Sequence, residues 1–580
     1  MKTRRVVFLA FLAAVLLLSC QNPAPENEAG TAKAAVPGTR WWENAAGPAY
    51  QVLVYSFADA DGDGWGDLAG LTASLDYLND GDPATATDLG VSALWLSPIH
   101  PSASYHGYDV LNYKAVHPRL GTLDDFDAFV AAAHERGVKV ILDMVFNHTS
   151  RQHPWFLEAL KNSRSEHASF YVEHDGKSDY GTGGMGRFYD ARRPDGSVFR
   201  YFSAFWDGMP DLNLANPKVV DELESVLAFW LERDVDGFRF DAAKHAFDPN
   251  ELPKGTPTMA STKTFWEDLR SSARAIKPDV FFIGEVLSEN LTEVAAYASV
   301  FDSLFDFPGA ALTLDLAGGG SVSGSLAAYG RLAARYSQIP GFQPAPLLTN
   351  HDQDRAMSVL LARAGLDAAI GIKGRPGEAS SVTALRSLTV ARAKLAASVA
   401  HTLPGLPFVY YGEELGMVGR RYANDDVARR DAFVWNDARS APTVTWPRSS
   451  NKLERGQNQG TTGAAEQAAD PDSILSLYRS LSVLRAASPA VRTGAFQAVP
   501  WPGFEGQSSV AWLRSAENQS VLVVHNLGAD KFSAPVPEGV SLLPLWTGGV
   551  GMVVGRAPLV PGQSVSVQPW DSAVFEVGQP

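Results

Sequence analysis

A parallel α/β barrel followed by an all-β domain is the fold this chain predicts, on three observations. Short apolar runs alternate with helix-period segments between residues 51 and 414. Polar and charged residues gather where those runs end, as they do at the working mouth of a (β/α)8 barrel. Beyond residue 491 the runs turn short and alternating, as in SVLVVHNL and SVSVQPWDSAVFEV, which is the pattern of antiparallel strands.

The elements follow in chain order. Lys2, Arg4 and Arg5 precede VVFLAFLAAVLLL, Val6 to Leu18, an apolar run too short to span a bilayer comfortably. It reads as an export signal and is set apart from the fold. It ends in Leu17-Leu18-Ser19-Cys20, and Cys20 is the single cysteine of the chain, so no internal disulfide or cysteine-based metal centre exists. A sole cysteine in that place resembles the lipobox of bacterial lipoproteins. The resemblance implies a signal peptide over 1–20, lipidation of Cys20, and anchoring of the exported chain to the cell envelope, at the outer membrane or cell surface. Residues 21–40, rich in Pro, Ala, Gly and Glu, read as a flexible tether.

The body, 41–490, carries the strand–helix rhythm. QVLVYSF (51–57) and VSALWLSPI (91–99) read as the first two strands. Phe126, Phe129, Val130 and Ala133 then recur at helical spacing, with Thr122 as N-cap and Gly137 as the stop. The unbroken run VKVILDMVF (138–146) is typical of a strand buried on both faces. DGFRFDAAKH (236–245), VFFIGEV (280–286), PLLTNHD (346–352) and LPFVYYGEE (406–414) continue the series, and eight such units close a barrel. Residues 150–212, without helix period, look like a subdomain inserted after the third strand, and 436–472 like a long polar loop. A helix over 474–486 leads to the all-β domain, 491–580.

Composition bounds the function. With 45% hydrophobic and 19% charged residues the chain is globular. A net charge of −15 leaves no basic footprint for nucleic acid, so an uncharged or cationic ligand is expected. The chain is expected to act as a monomer.

The strand ends carry the chemistry. Asp143, Asn147 and His148 end the third, Arg239 and Asp241 the fourth, Glu285 the fifth, and His351 with Asp352 the seventh. Arg239 and Asp241 share parity and point inward, while Phe238 and Phe240 face the helices. A guanidinium beside Asp241 favours its ionised form. Glu285, behind VFFIG, is expected to feel desolvation and a like charge, both of which raise its pKa. Two carboxylates driven apart in this way are the nucleophile and acid/base of a retaining glycosidase.

At this point the chain resembles a known family. DMVFNH (143–148), MPDLN (209–213), GFRFDAAKH (237–245), GEV (284–286) and LTNHDQ (348–353) are similar, in order and spacing, to the sequence blocks of the α-amylase family of glycoside hydrolases. The resemblance, covering residues 41 to 580, implies a (β/α)8 barrel with a domain B after the third strand and a C-terminal antiparallel β-sandwich. It implies Asp241 as nucleophile, Glu285 as general acid/base, and Asp352 as the carboxylate that holds sugar hydroxyls. His148 and His351 match histidines that bond the sugar at the cleavage site, Arg239 an arginine that orients the nucleophile, and Tyr108 an aromatic platform. Lys244 and His245 look like the pair that contacts the leaving sugar in endo-acting amylases.

Family members that take single glucose units from chain ends usually carry Asp-Asn-Gly-Tyr where this chain has Tyr105-His106-Gly107-Tyr108. A histidine there leaves the cleft more open. MPDLN resembles a subgroup between oligo-1,6-glucosidases and neopullulanases. The reading is therefore endo-hydrolysis of α-1,4-glucosidic bonds in starch, glycogen or maltooligosaccharides. The alternatives are a 4-α-glucanotransferase, an α-glucosidase or neopullulanase activity, or a glucan-binding lipoprotein without catalysis. The last predicts loss of one of the three carboxylates, and all three are present.

One further stretch, DADGDGWGDLAG (59–70), resembles the front of a calcium loop. An EF-hand needs a preceding helix and a glutamate at its twelfth position; here an apolar strand precedes it and the twelfth residue is Gly70. The resemblance instead implies a calcium loop after the first barrel strand, with Asp59, Asp61, Asp63, Asp67 and the Trp65 carbonyl as ligands. Clustered carboxylates repel one another without a cation, which is the physical case for the ion. A second calcium, on Asn147, Asp211 and the His245 carbonyl, is the weaker expectation, since Asn147 and Asp211 can also bond to each other.

Overall fold

The computed structural model describes residues 40–366, 380–421, 426–446, 457–499 and 508–579. The export signal and Cys20 lie outside the described residues, as does the tether apart from Arg40. Among the described residues no helix is long and apolar enough to cross a membrane.

The barrel is built from β1 (Ala49–Val52), β2 (Ala93–Leu96) and β3 (Lys139–Met144). A hairpin of β4 (Arg187–Arg192) and β5 (Val198–Ser203) interrupts it, and β6 (Gly237–Phe240), β7 (Phe281–Gly284), β8 (Ser303–Phe305), β9 (Gln343–Ala345) and β10 (Phe408–Tyr410) complete it. All barrel neighbours pair in parallel in the order β10-β1-β2-β3-β6-β7-β8-β9. Backbone bonds from Leu406 N–H to Pro344 O (3.1 Å) and from Phe408 N–H to Pro346 O (2.7 Å) bring the last strand against β9, so the sheet nearly closes. Side-chain parity sorts the two faces. Val140, Leu142 and Met144 pack outward in the large core shared with the helices, while Ile141 joins Trp95, Phe281, Ile283, Phe305 and Phe408 inside the barrel.

The helix expected after β2 runs Leu123–Glu135. Thr122 and Asp125 form its capping box, and Gly137 beyond it takes φ 72°.

Several strands differ from expectation. The first apolar run is strand only to Val52, and Val54–Phe57 is a buried helical turn folding over the rim. The seventh strand is Gln343–Ala345, so PLLTNHD (346–352) is the segment that follows it. In both places burial extends past the hydrogen-bonded strand, so hydrophobicity overstates or shifts its limits. The strand Ser303–Phe305 has three residues, too few to show a period. The insertion also contains a helix, Pro154–Lys161, with His153 accepting from Trp155 N–H as its N-cap and Pro154 at the first position.

The C-terminal domain holds β11 (Ala495–Ala498), β12 (Ser509–Ala516), β13 (Gln519–Asn526), β14 (Phe532–Pro535), β15 (Ser541–Thr547), β16 (Gly551–Met552), β17 (Ser564–Val567) and β18 (Ser572–Gly578). A six-stranded antiparallel sheet, β11-β12-β13-β18-β15-β16, faces the β14–β17 pair. Leu513, Leu522 and Phe575 pack against Phe532 and Val565 between the two sheets.

Candidate active site

Arg239, inward on β6 and fully buried, organises the mouth of the barrel. Its Nη1 donates to Asp143 Oδ1 (2.6 Å) and to Asp241 Oδ1 (2.7 Å). Its Nη2 lies 2.9 Å from Glu285 Oε2 as an ion pair, off the line a hydrogen bond would need. One cation thus faces three carboxylates from three successive strands. Asp143 is fixed from behind by Tyr108 OH (2.9 Å) and Trp95 Nε1 (3.1 Å), both donating to Oδ2.

Glu285 is tied to the fourth-strand end through the backbone. Its N–H donates to Phe240 O (3.0 Å), its carbonyl accepts from Ala243 N–H (3.0 Å), and Oε2 accepts from Ala242 N–H (3.2 Å). Ala242 takes φ 48°, ψ 35°, a left-handed conformation that a residue with a Cβ rarely adopts. The strained residue directly after Asp241 thereby turns its amide toward Glu285. Oε1 of Glu285 is buried and has no hydrogen-bond partner among the described residues.

Electrostatics separate the acids. Burial, with repulsion from Asp241 and Asp352, pushes Glu285 up to about 8 against the opposing pull of Arg239. Burial likewise raises Asp143 to about 7, opposed by Arg239. Asp352 goes the other way. Burial raises it, but His351, Arg430 and Arg239 outweigh that and hold it at about 2. Its Oδ1 accepts from Arg430 Nη2 (2.9 Å), and Oδ2 lies 3.2 Å from His351 Nε2. Surrounded by protein atoms, it still has 38% of its side chain open to the cleft.

The other sequence-predicted residues fall as follows. His351 stacks on Tyr108 (5.1 Å, 1°), and its Nδ1 lies 2.8 Å from Gln51 Nε2. Burial lowers its pKa to about 3, so it is neutral. His148 Nε2 lies 3.1 Å from Tyr108 O, and burial lowers this histidine too. Lys244 Nζ is engaged on the rim by Leu287 O (3.0 Å) and Glu293 Oε1 (3.2 Å). His245 Nδ1 stands 3.6 Å from Asp248 Oδ2.

Arg430 is the residue that sequence reasoning missed. It sits on the short turn Val427–Arg430, outside any apolar run, and only structure shows it reaching Asp352 and Tyr105 OH (3.2 Å). Asp143 was visible at a strand end but carried no role until its bond to Arg239 appeared.

The acidic loop is brought together in part. Carboxylate oxygens of Asp59, Asp61 and Asp67 lie within 4.8 Å of one another, whereas Asp63 is outside that group. Its Oδ1 instead accepts from Trp65 N–H (2.7 Å), since a short side chain in a tight turn bonds its own backbone. The three clustered acids offer hard oxygen donors of the kind that suit calcium. At the second expected position Asn147 Nδ2 donates directly to Asp211 Oδ2 (3.1 Å), and Asp211 Oδ1 accepts from Ala204 N–H (3.0 Å). Both oxygens are therefore satisfied without a cation.

Carboxylates from three successive strands gathered around one buried arginine, at the C-terminal mouth of an eight-stranded parallel barrel, are the working parts of a glycoside hydrolase. Comparison with known proteins agrees: the model of the alpha-amylase catalytic domain matches residues 51–494, and the chain belongs to the α-amylase family. It is 34% identical over 493 residues to Alpha-amylase 3 of Dictyoglomus thermophilum, covering 84% of this chain and 85% of that protein. It is 31% identical over 410 residues to the oligo-1,6-glucosidase of Parageobacillus thermoglucosidasius, 66% of each chain. The crystal structure of the alpha-amylase from H. orenii superposes with a TM-score of 0.76 at 34% identity, covering 92% of this chain and 99% of that one.

Proposed function

We propose that this chain hydrolyses internal α-1,4-glucosidic bonds of starch, glycogen or maltooligosaccharides with retention of configuration. The observation that carries the reading is Arg239, which touches Asp241 and Glu285 at once. A shared guanidinium gathers the two carboxylates at one point of the cleft, where a nucleophile and an acid/base can act on one bond. In the first step Asp241 attacks the anomeric carbon, the C1–O bond breaks, and the departing oxygen takes the proton of Glu285. In the second, Glu285 removes a proton from water, which attacks the glycosyl ester and frees Asp241. Asp352, held ionised beside the Arg430 guanidinium, supplies acceptors for sugar hydroxyls.

The endo-acting reading rests on His106. Its Nε2 lies 2.7 Å from Ser104 Oγ, and burial lowers its pKa to about 3, so a neutral imidazole stands where chain-end-acting members carry an aspartate. Maltoheptaose, pullulan and cyclodextrin digests test it. Internal cleavage of maltoheptaose is expected, and release of glucose alone from chain ends overturns the endo assignment.

The same proposal places a calcium ion on Asp59, Asp61 and Asp67, where it neutralises converging carboxylates and fixes the loop. It also places the chain at the cell envelope, exported and anchored by a lipid on Cys20. Cys20→Ser is expected to move the protein from the detergent-extracted membrane fraction to the soluble one; unchanged partitioning rejects the anchor.

A further inference from the structure

Two successive arginines, Arg429 and Arg430, close the short turn Val427–Arg430. Arg430 reaches the Asp352 carboxylate, and Arg429 reaches the same residue from behind. Arg429 Nη1 donates to the carbonyl of Asp352 (2.6 Å) and to Asp426 Oδ1 (3.2 Å). Its other edge takes Asp354: Nε donates to Oδ1 (2.8 Å), and Nη2 lies 2.8 Å from the same oxygen. Asp354 Oδ1 also accepts from Arg421 N–H (2.8 Å). Only 13% of the Arg429 side chain is exposed, so this guanidinium is turned into the protein.

The bonds run both ways between the segment 351–355 and this turn. Neither is strand, so side chains make the join. From the turn, Arg430 Nε donates to His351 O (3.3 Å) and Nη2 to Asp352 Oδ1 (2.9 Å). In return, Arg355 Nε donates to Arg429 O (3.0 Å), which also accepts from Tyr410 OH (2.9 Å). Asp352 is therefore held at both ends, its carbonyl by Arg429 and its carboxylate by Arg430. An ion pair in open solvent is screened and adds little. A mostly buried guanidinium divided between a carbonyl and a carboxylate fixes direction as well as distance.

We propose that Arg429, braced by Asp354, is a positioning residue of the active site, fixing where the Asp352 carboxylate stands against the sugar. With 38% of its side chain open to the cleft, Asp352 has few walls to locate it, so its backbone must do so. A misplacement of about 1 Å in a group that binds the transition state costs on the order of a hundredfold in rate. Arg429 ties the Asp352 backbone to the turn that carries Arg430. The carboxylate and its cation are thereby set by one unit, and the sugar meets both in register.

The inference rests on the glucan-cleaving reading, and the experiment separates the two. Arg429→Met and Asp354→Asn, singly and together, are compared with the unaltered full chain on maltoheptaose and on α-maltosyl fluoride, whose leaving group is not a sugar. Both substrates share the sugar that Asp241 attacks. For Arg429→Met, kcat is expected to fall about tenfold on each, with KM little changed. Asp354→Asn, which keeps the side-chain shape and serves where Arg429→Met does not fold, should lower kcat on both substrates too. Added to Arg429→Met it should cost less than about twofold more, because the two act as one unit. In an Asp352→Asn background, read on the fluoride, either variant should again cost less than about twofold, which a general loosening of the fold would not give. A full loss repeated in that background, a loss on maltoheptaose alone, or no loss at all overturns the positioning role alone. Failure of the unaltered chain on both substrates overturns the glucan reading and the positioning role with it.

Discussion

Burial sets the protonation of Glu285 against the pull of Arg239, and Glu285 carries the consequence for pH. A carboxyl raised to about 8 is protonated at neutral pH, as a leaving-group acid must be. Raising the pH through about 8 removes that proton, so kcat/KM on maltoheptaose is expected to fall along a basic limb there. Glu285→Gln should cut glucan turnover by a factor on the order of 10²–10⁴ and abolish that limb. A wild-type profile flat well beyond pH 8 rejects Glu285 as the acid. Asp241→Asn should leave less than about a thousandth of wild-type turnover with the fold intact, because an amide cannot attack the anomeric carbon. Substantial residual hydrolysis by a correctly folded variant assigns the nucleophile elsewhere. At this scale Asp241, Glu285 and Asp352 were legible because each ends an apolar run. Arg430 was not, since what marks it is a contact with Asp352 made from a turn 78 residues on.

Short strands define the element scale, where chemistry was easier to read than boundaries. Barrel strands of three or four residues sit inside longer buried runs, so LLTNH looked like strand although the β8–β9 pairing ends at Ala345. The acidic loop shows the same division. Its position after the first strand was legible, but the turning away of Asp63 depends on an Asx-type bond to Trp65 N–H. Trp65 in turn stacks on Trp446 (4.7 Å, 19°), which makes the loop's order readable by tryptophan fluorescence. A ligand that binds only the folded state stabilises it by about 2.7 kcal/mol at a hundredfold excess over Kd. Chelation is therefore expected to lower Tm by several degrees and shift that emission, while low-temperature activity largely persists. Asp59→Ala with Asp61→Ala should erase most of the calcium response. A full response in the double variant moves the ion to Asp211, beside buried Glu251, which repulsion from Asp211 helps to raise.

Across the whole molecule, the barrel was legible because its rhythm repeats, and the C-terminal domain because its period changes to alternation. The joint between them was not, since alongside shared apolar packing it uses a buried arginine in an otherwise apolar strand. Arg514 on β12, fully buried, donates through Nε to Gly494 O (2.9 Å) and through Nη1 to Thr402 O (2.7 Å). On the barrel side, Arg485, also buried, reaches His401 O (2.9 Å) and Gly405 O (3.0 Å) beneath that contact. Both guanidiniums meet the end of the helix Ser380–Thr402, where unpaired carbonyls and the helix dipole favour a cation. No carboxylate shares in these bonds, and burial lowers both pKa values to about 9, so each cation is held by carbonyls alone. Arg514→Met keeps the bulk and strands both carbonyls, at roughly 1–3 kcal/mol for each. Calorimetry is expected to show a Tm lower by several degrees, with the C-terminal domain unfolding ahead of the barrel. Turnover of α-maltosyl fluoride at 25 °C should remain, because the catalytic rim lies at the opposite ends of the strands from this joint. An unchanged Tm means the joint is held by apolar packing instead, and loss of fluoride turnover without unfolding means the domain supports the site directly.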